Sequence, residues 1–159
     1  MLVGLISDTH DNVDRIEQAV SVFNERGVAL VVHAGDFTSP FSLKPFERLK
    51  ADFVGIYGNN DGDRLLLRDR SRGRIHRQPH KFTFSEKRIV VMHEPDLVDD
   101  LAASGHFDLI VYGHTHRAEI EKINNTLMVN PGEAGHWLYG NATIAVVDIN
   151  KMEGEIISL

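Results

Sequence analysis

LVGLISDTHDNVDRIEQAVSVFNERGVALVVHAGD, Leu2 to Asp36, holds an apolar run, a stretch of helical spacing and a second apolar run, in that order. LVGLIS reads as a short buried strand. From Asn12 onward Val13, Ile16, Val20 and Phe23 recur at the spacing of one helix face, and Gly27 stops the helix. ALVVHAG is then a second buried strand. Strand, helix and strand in so short a span form a β-α-β unit, which predicts a parallel sheet. After Ser39-Pro40, a shorter helix through Leu43, Phe46 and Leu49 leads to a third strand, DFVGIYG, so the first third reads β-α-β-α-β.

Further along the pattern changes. An Arg-rich stretch runs from Arg64 to Arg77, and KFTFS and RIVVMH flank Glu86-Lys87 as a hairpin feeding another buried strand. A helix at about Leu97 to Ser104 is ended by Gly105. FDLIVYG is one more buried strand, and AEIEKIN, TLMVN, NATIAVVDI and GEIISL read as short strands between Asn-, Gly- and Lys-rich turns. The sequence contains no repeat, low-complexity tract or linker, so residues 1–159 are expected to form one α/β (α+β) domain of two packed sheets with helices outside.

Composition narrows the chemistry. The 159 residues are 42% hydrophobic, yet no apolar run approaches the ~20 residues that span a bilayer. The N-terminus has no basic leader and no cleavage pattern, so a cytoplasmic protein is expected. Zero cysteines leave histidine, carboxylate and amide oxygen as the only ligands for a metal. A net charge of −6 argues against general polyanion binding without fixing the local sign of a cleft. Nine histidines in so short a chain ask for a site.

The residues following the predicted strands supply one. Asp8 and His10 follow the first strand, Asp36 the second, Asn59 the third, His93 follows RIVVMH, and His114 and His116 follow DLIVYG. In open α/β sheets sites form outside the carboxyl ends of strands, so these side chains can converge. In extended backbone residues i and i+2 point the same way, so Asp8 with His10, and His114 with His116, would each present two ligands to one side. Gly35 and Gly113 permit the sharp turn out of the strand. Seven ligands exceed one tetrahedral site and suit two metals sharing a bridging carboxylate, assigned here to Asp36. Two divalent ions against Asp8 and Asp36 would leave the cleft positive by about two charges, which favours an anionic substrate.

GLISDTHDN, HAGDF, YGNND, MHEP and YGHTHR, with NPG at Asn130 to Gly132, stand in the order and context of the calcineurin-like metallophosphoesterases. The chain resembles the small single-domain bacterial and archaeal phosphodiesterases of that family over essentially its whole length. The resemblance implies a four-layer αββα sandwich of two mixed β-sheets flanked by helices, with a dinuclear centre. By motif, Asp8, His10, Asp36 and His116 would hold one metal, and Asp36, Asn59, His93 and His114 the other. A hydroxide between the metals would attack phosphorus in line. Two divalent ions are implied, Mn²⁺ or Ni²⁺ favoured, with Mg²⁺, Zn²⁺ and Fe²⁺ admitted because such ligands select weakly. The expected partner is a small phosphodiester or nucleotide-like substrate, with nucleic acid less favoured, and the family suggests a homodimer or larger oligomer.

Two positions depart from the family pattern. Asn60 stands where many members have a histidine, and a neutral amide binds a phosphate oxygen but is no general acid. The catalytic candidates are therefore Asn59, Asn60 and Asp61, with Asp61 one alternative proton donor. His93-Glu94-Pro95 replaces a frequent His-Gly-His. His33 reads equally as a buried hydrogen-bonding residue or a catalytic one, and His76, His80, His106 and His136 as surface or loop residues, His136 a candidate for the cleft rim. Arginines 64, 68, 70, 72, 74 and 77 read as a solvated face, and Asp11, beside Asn12, as a helix cap. An amidohydrolase barrel needs ~200 residues or more, and Ala118-Glu119 breaks the metallo-β-lactamase pattern. A phosphomonoesterase, or a protein-binding scaffold of the same fold, is the alternative.

Overall fold

A computed structural model describes residues 1–138 and 140–159. One sheet runs β11 (Glu153–Ser158), β10 (Thr143–Asp148), β1 (Leu2–Ile6), β2 (Leu30–His33), β3 (Asp52–Ile56), β4 (Ile75–His76). From β1 to β4 the strands are parallel, while β10 is antiparallel to β1 and to β11. The other runs β5 (His80–Phe84), β6 (Lys87–Val91), β7 (Leu109–Val111), β9 (Thr126–Asn130), β8 (Glu119–Ile123), with β6, β7 and β9 parallel and the edge strands antiparallel.

Strand alternation builds the layers. Leu30 and Val32 of β2, and Ile89, Val91, Leu109 and Val111 of β6 and β7, enter the core between the two sheets. Their neighbours Val31, Val90 and Ile110 point outward and are equally buried. Val31 packs in the cluster that holds Ala19 and Phe23 of α1 (Val13–Arg26) and Leu67 of α2 (Arg64–Arg70). Val90 and Ile110 pack with Val98 and Ala102 of α3 (Val98–Ser104). Both faces of each central strand are covered, which is why the sequence reads there as continuous apolar runs. The architecture is the expected αββα sandwich of two mixed sheets.

Local chemistry sets the connections. Asn12 caps α1 by accepting the Arg15 N–H, and Gly27 ends it at φ 64°. Asp11 is no helix cap: its Oδ1 accepts from the Ser39 N–H and from the hydroxyls of Ser39 and Ser42. The helix expected through Leu43, Phe46 and Leu49 is instead two 3-10 turns, Pro40–Leu43 and Pro45–Arg48. Pro45 has no N–H to continue a helix and its ring clashes with the preceding turn. Within the Arg-rich stretch lie α2, capped by Asp63, and the short β4. The β5–β6 turn falls on Ser85-Glu86, at φ 49° and 65°, one residue earlier than read, the backbone of a tight hairpin turn. No helix among the described residues is long and apolar enough to cross a membrane.

Candidate metal centre

Parallel pairing of β1 with β2, of β2 with β3 and of β6 with β7 aligns their carboxyl ends, which meet at one edge of the sandwich. There the backbone turns abruptly. Asp8, His10, Asp36, His114 and His116 have φ of 52°, 42°, 61°, 68° and 59°, a left-handed conformation uncommon outside glycine but tolerated best by Asn, Asp and His. The turns interlock: the N–H groups of Thr9 and His10 both donate to the Asp36 carbonyl at 3.1 Å. Gly35, at φ 100°, makes the turn before Asp36. A Cβ on Gly113 would stand 2.8 Å from Asp8 Oδ2, and one on Gly58 would overlap the Asp36 carboxylate. Only glycine lets these backbones come so close.

The side chains converge on two carboxylates. Asp8 Oδ1 lies 3.8 Å from His10 Nε2, 3.4 Å from His116 Nε2 and 3.9 Å from His93 Nε2. Asp36 Oδ2 lies 3.7 Å from His10 Nε2 and 3.4 Å from His93 Nε2. Asn59 Oδ1 sits 2.9 Å from His93 Nε2 and 3.0 Å from His114 Nδ1. All seven expected residues thus meet. They do so by the left-handed turns rather than by extended alternation, and this parts one pair: His116 goes to Asp8 while His114 goes to Asn59. Asp8, Asp36 and His93 form a buried floor, with Asn59, Asn60 and His114 exposed at the mouth.

Among the described residues, two groups offer ligand atoms within 4.8 Å of one another: Asp8, His10 and His116, and Asp8, Asp36 and His93. Asp8 Oδ1 and His10 Nε2 are buried without a hydrogen-bond partner. Leaving such atoms unpaired costs ~1–3 kcal/mol each, and a cation between them would remove that cost. Oxygen and imidazole nitrogen suit divalent first-row ions. The residues therefore fit the metals that the family implies.

Hydrogen bonds fix the electrostatics. Burial pushes the Asp8 carboxyl up, against the pull of His93, the Ser7 hydroxyl at 2.6 Å and His116. Burial works against ionised Asp36 too, but His93 and the two donors of Asn60 outweigh it and hold this carboxyl well below the usual range. Burial opposes the His93 imidazolium, yet Asp36, Asp8 and the Ala34 carbonyl carry its pKa up to about 9. His93 Nδ1–H donates to that carbonyl at 2.8 Å, which turns Nε2 toward Asp36. Of the two readings left open for His33, the contacts are those of a buried hydrogen-bonding residue: Nδ1 accepts the Gly35 N–H and Nε2 faces Thr9 Oγ1 at 3.1 Å. Burial lowers its pKa well below the ordinary value.

Asp61 and Asn60 turn inward. Asp61 Oδ1 accepts the Thr38 N–H, and Oδ2 those of Gly58 and Asp36; burial raises its pKa while these donors oppose the rise. Asn60 donates its backbone N–H to Asp36 Oδ1 at 2.8 Å and its amide to Oδ2 at 2.7 Å. Glu94 accepts from the Gln78 amide, whose oxygen holds the His93 N–H at 2.6 Å.

Sequence reasoning missed Glu133. It is 1% exposed, with Oε2 3.2 Å from His116 Nδ1 and Oε1 accepting the Trp137 N–H at 2.6 Å. Its place directly after NPG, ahead of GHW, was the available signal. Glu133 and Asp61 also alter the expected surplus of two positive charges, which counted Asp8 and Asp36 alone. Two more buried carboxylates back the site, so at this depth the charge of two divalent ions would be balanced. His106 and His136 are exposed, and His76 and His80 stack on each other at 3.9 Å. Arg64 is anchored to the Gly58 and Asp61 carbonyls, and Arg68 pairs with Asp69.

A two-sheet αββα sandwich with His, Asp and Asn gathered at one edge defines a class of metal-dependent phosphoester hydrolases. Residues 1–152 match the calcineurin-like phosphoesterase superfamily domain, and the chain belongs to that family. It is 35% identical over 159 residues to a phosphodiesterase of Methanocaldococcus jannaschii, spanning 96% of each chain. A solved structure characterised as a novel archaeal phosphodiesterase matches with a TM-score of 0.93 and 35% identity over the whole of both chains. Vps29 of Chaetomium thermophilum shares the fold alone, at a TM-score of 0.74 and 14% identity over 100% of this chain and 94% of the other.

Proposed function

We propose that residues 1–159 act as one metal-dependent phosphodiesterase domain, working in the cytoplasm on small phosphodiesters or nucleotide-like substrates. One observation carries the reading: seven ligand-type side chains from the ends of five strands meet around Asp8 and Asp36, with Asp8 Oδ1 and His10 Nε2 buried and unpaired. The similarity to an archaeal phosphodiesterase, in sequence and in solved structure, supports the diester preference.

In this reading Asp8, His10, Asp36 and His116 hold one divalent ion, and Asp36, Asn59, His93 and His114 the other. Bound there, the ions supply Lewis acidity for the phosphoryl oxygens and a nucleophilic water at neutral pH. The chain supplies position. The Ala34 carbonyl fixes the His93 ring, Glu133 fixes His116, and Ser7 and the His114 N–H fix Asp8 Oδ2. Such backing commonly accounts for ~10–100-fold in metal affinity. Asn60 orients Asp36 through two hydrogen bonds, and Asp61 holds the Thr38, Asp36 and Gly58 amides. Neither arrangement provides a ready proton for the leaving group, so diesters with good leaving groups are preferred.

Hydrolysis of bis-p-nitrophenyl phosphate by chelator-treated protein, with and without Mn²⁺, tests this. Turnover restored by the metal is expected. Turnover of p-nitrophenyl phosphate alone would replace the diesterase with a monoesterase, and no turnover in protein shown to bind Mn²⁺ would overturn the enzymatic reading.

A further inference from the structure

Trp137 is the single tryptophan of the chain, and it is 63% exposed. An indole so open to water usually belongs to a loose loop, but this one is fixed. Its Nε1–H donates to the His10 carbonyl at 3.1 Å, and its backbone N–H to Glu133 Oε1 at 2.6 Å. The segment before it runs along the ligand-bearing turn. The Ala134 N–H donates to Ser7 O, the Gly135 N–H donates to Asp8 O at 2.9 Å, and the Gly135 carbonyl accepts the Asn12 amide at 2.7 Å. A Cβ at Gly135 would stand 2.9 Å from the carbonyls of Asp8 and Thr9 and 3.0 Å from the indole. Glycine there lets the loop lie against the turn and the ring lie over it. Leu138, 66% exposed, extends the apolar surface.

The result is a rigid aromatic plate bonded to the backbone of a proposed metal ligand, beside a site proposed to hold phosphorus. The turn that carries Asp8 and His10 is also held by the Asp36 carbonyl, which accepts the Thr9 and His10 N–H groups. What a fixed, exposed indole offers at such a place is a stacking surface. Base–aromatic stacking tolerates any base because every base has a π face.

We propose that Trp137 forms a nucleobase-stacking subsite at the rim of the metal centre, selecting phosphoesters that carry a purine or pyrimidine over those that carry only a sugar. The proposal rests on the phosphoesterase reading above and deepens it. The phosphate sits at the Asp8 and Asp36 floor, and the base lies on the indole.

The test uses the Mn²⁺-loaded protein with AMP and ribose 5-phosphate, which share a phosphate and a sugar and differ in the base. Because there is one tryptophan, intrinsic emission reports on this residue alone. AMP is expected to quench it saturably and ribose 5-phosphate to leave it unchanged. By calorimetry AMP should bind about tenfold more tightly, a difference of about 1.4 kcal/mol. Trp137→Phe should keep most of that ratio and Trp137→Ala should bring it toward one. Equal binding of the two ligands without quenching would overturn the stacking subsite and leave the phosphoesterase reading standing. Binding of neither would overturn the subsite alone, since both ligands are monoesters, and the phosphoesterase reading would still be decided by turnover of bis-p-nitrophenyl phosphate. Emission shielded from acrylamide, and shifting with protein concentration, would mean that a second copy of the chain covers the indole, and the subsite would be wrong.

Discussion

At the amino end of β7, Asp108 accepts the Arg88 N–H at 2.8 Å and the Arg88 guanidinium at 3.2 Å, a partly exposed contact that ties β7 to β6. At the carboxyl end of the same strand, His114 and His116 sit at positive φ and part, His114 facing Asn59 while His116 leans on the buried carboxylates of Asp8 and Glu133. β2 repeats the contrast. It is entered from Gly27, an ordinary left-handed helix end, and left through Gly35 and Asp36, where a buried anion faces two histidines. The amino ends are built for stability. The carboxyl ends hold strained backbone and gathered charge that a stable fold has no need of, and such features concentrate where function requires them.

That contrast can be broken most forcefully at Asp36. Asp36→Asn keeps the side chain's size and the tolerance for φ 61° but removes a charge. Loss of more than about a hundredfold in turnover is expected, with bound metal reduced. The melting temperature of chelator-treated protein should fall little, since the core between the sheets does not contain this residue. A folded variant holding two metals at wild-type affinity would show that Asp36 is not the bridge. Glu133→Gln sharpens the picture with a smaller effect. It keeps an acceptor for the Trp137 N–H but weakens the grip on His116 Nδ1, so metal affinity should drop by ~10–100-fold. Chelator competition reads this directly, and an unchanged affinity would assign Glu133 to loop structure alone.

The two ends also differed in how far they could be read from the sequence. Ligands were legible because each follows an apolar run whose length and pattern mark the strand's end, as at LIVYG before His114. The angle at which they leave was not. Alternation predicts that His114 and His116 share a side, but left-handed φ values turn them to different partners, and no residue pattern encodes that. Glu133 was invisible for another reason: its contact with His116 joins segments on either side of β8 and β9, so it exists only after the second sheet forms. α2 escaped because Leu65 and Leu66 are exposed and only Leu67 is buried, leaving no apolar stripe to detect. Pro45 did announce a break, and the reading of one helix through Leu43 and Leu49 passed over it.

Asp108 gives the smallest effect and the cleanest control. Burial alone would raise its carboxyl, but the Arg88 N–H and guanidinium outweigh this and hold the pKa below its ordinary value. A carboxyl whose folded pKa is depressed adds stability that is fully present above the unfolded value of about 3.8 and is lost as pH falls through the folded one. Asp108→Asn should therefore cost no more than about 1 kcal/mol at neutral pH, because a partly exposed ion pair is screened by solvent. The gap in urea midpoint between wild type and variant should narrow below about pH 4 and close at lower pH. Metal content and turnover should match wild type at neutral pH, since the residue lies at the end of β7 away from His114. A gap that persisted in acid would assign the contribution to packing rather than charge. A loss of turnover would mean that the amino end of this strand also tunes the site, and the division of labour between the two ends would not hold.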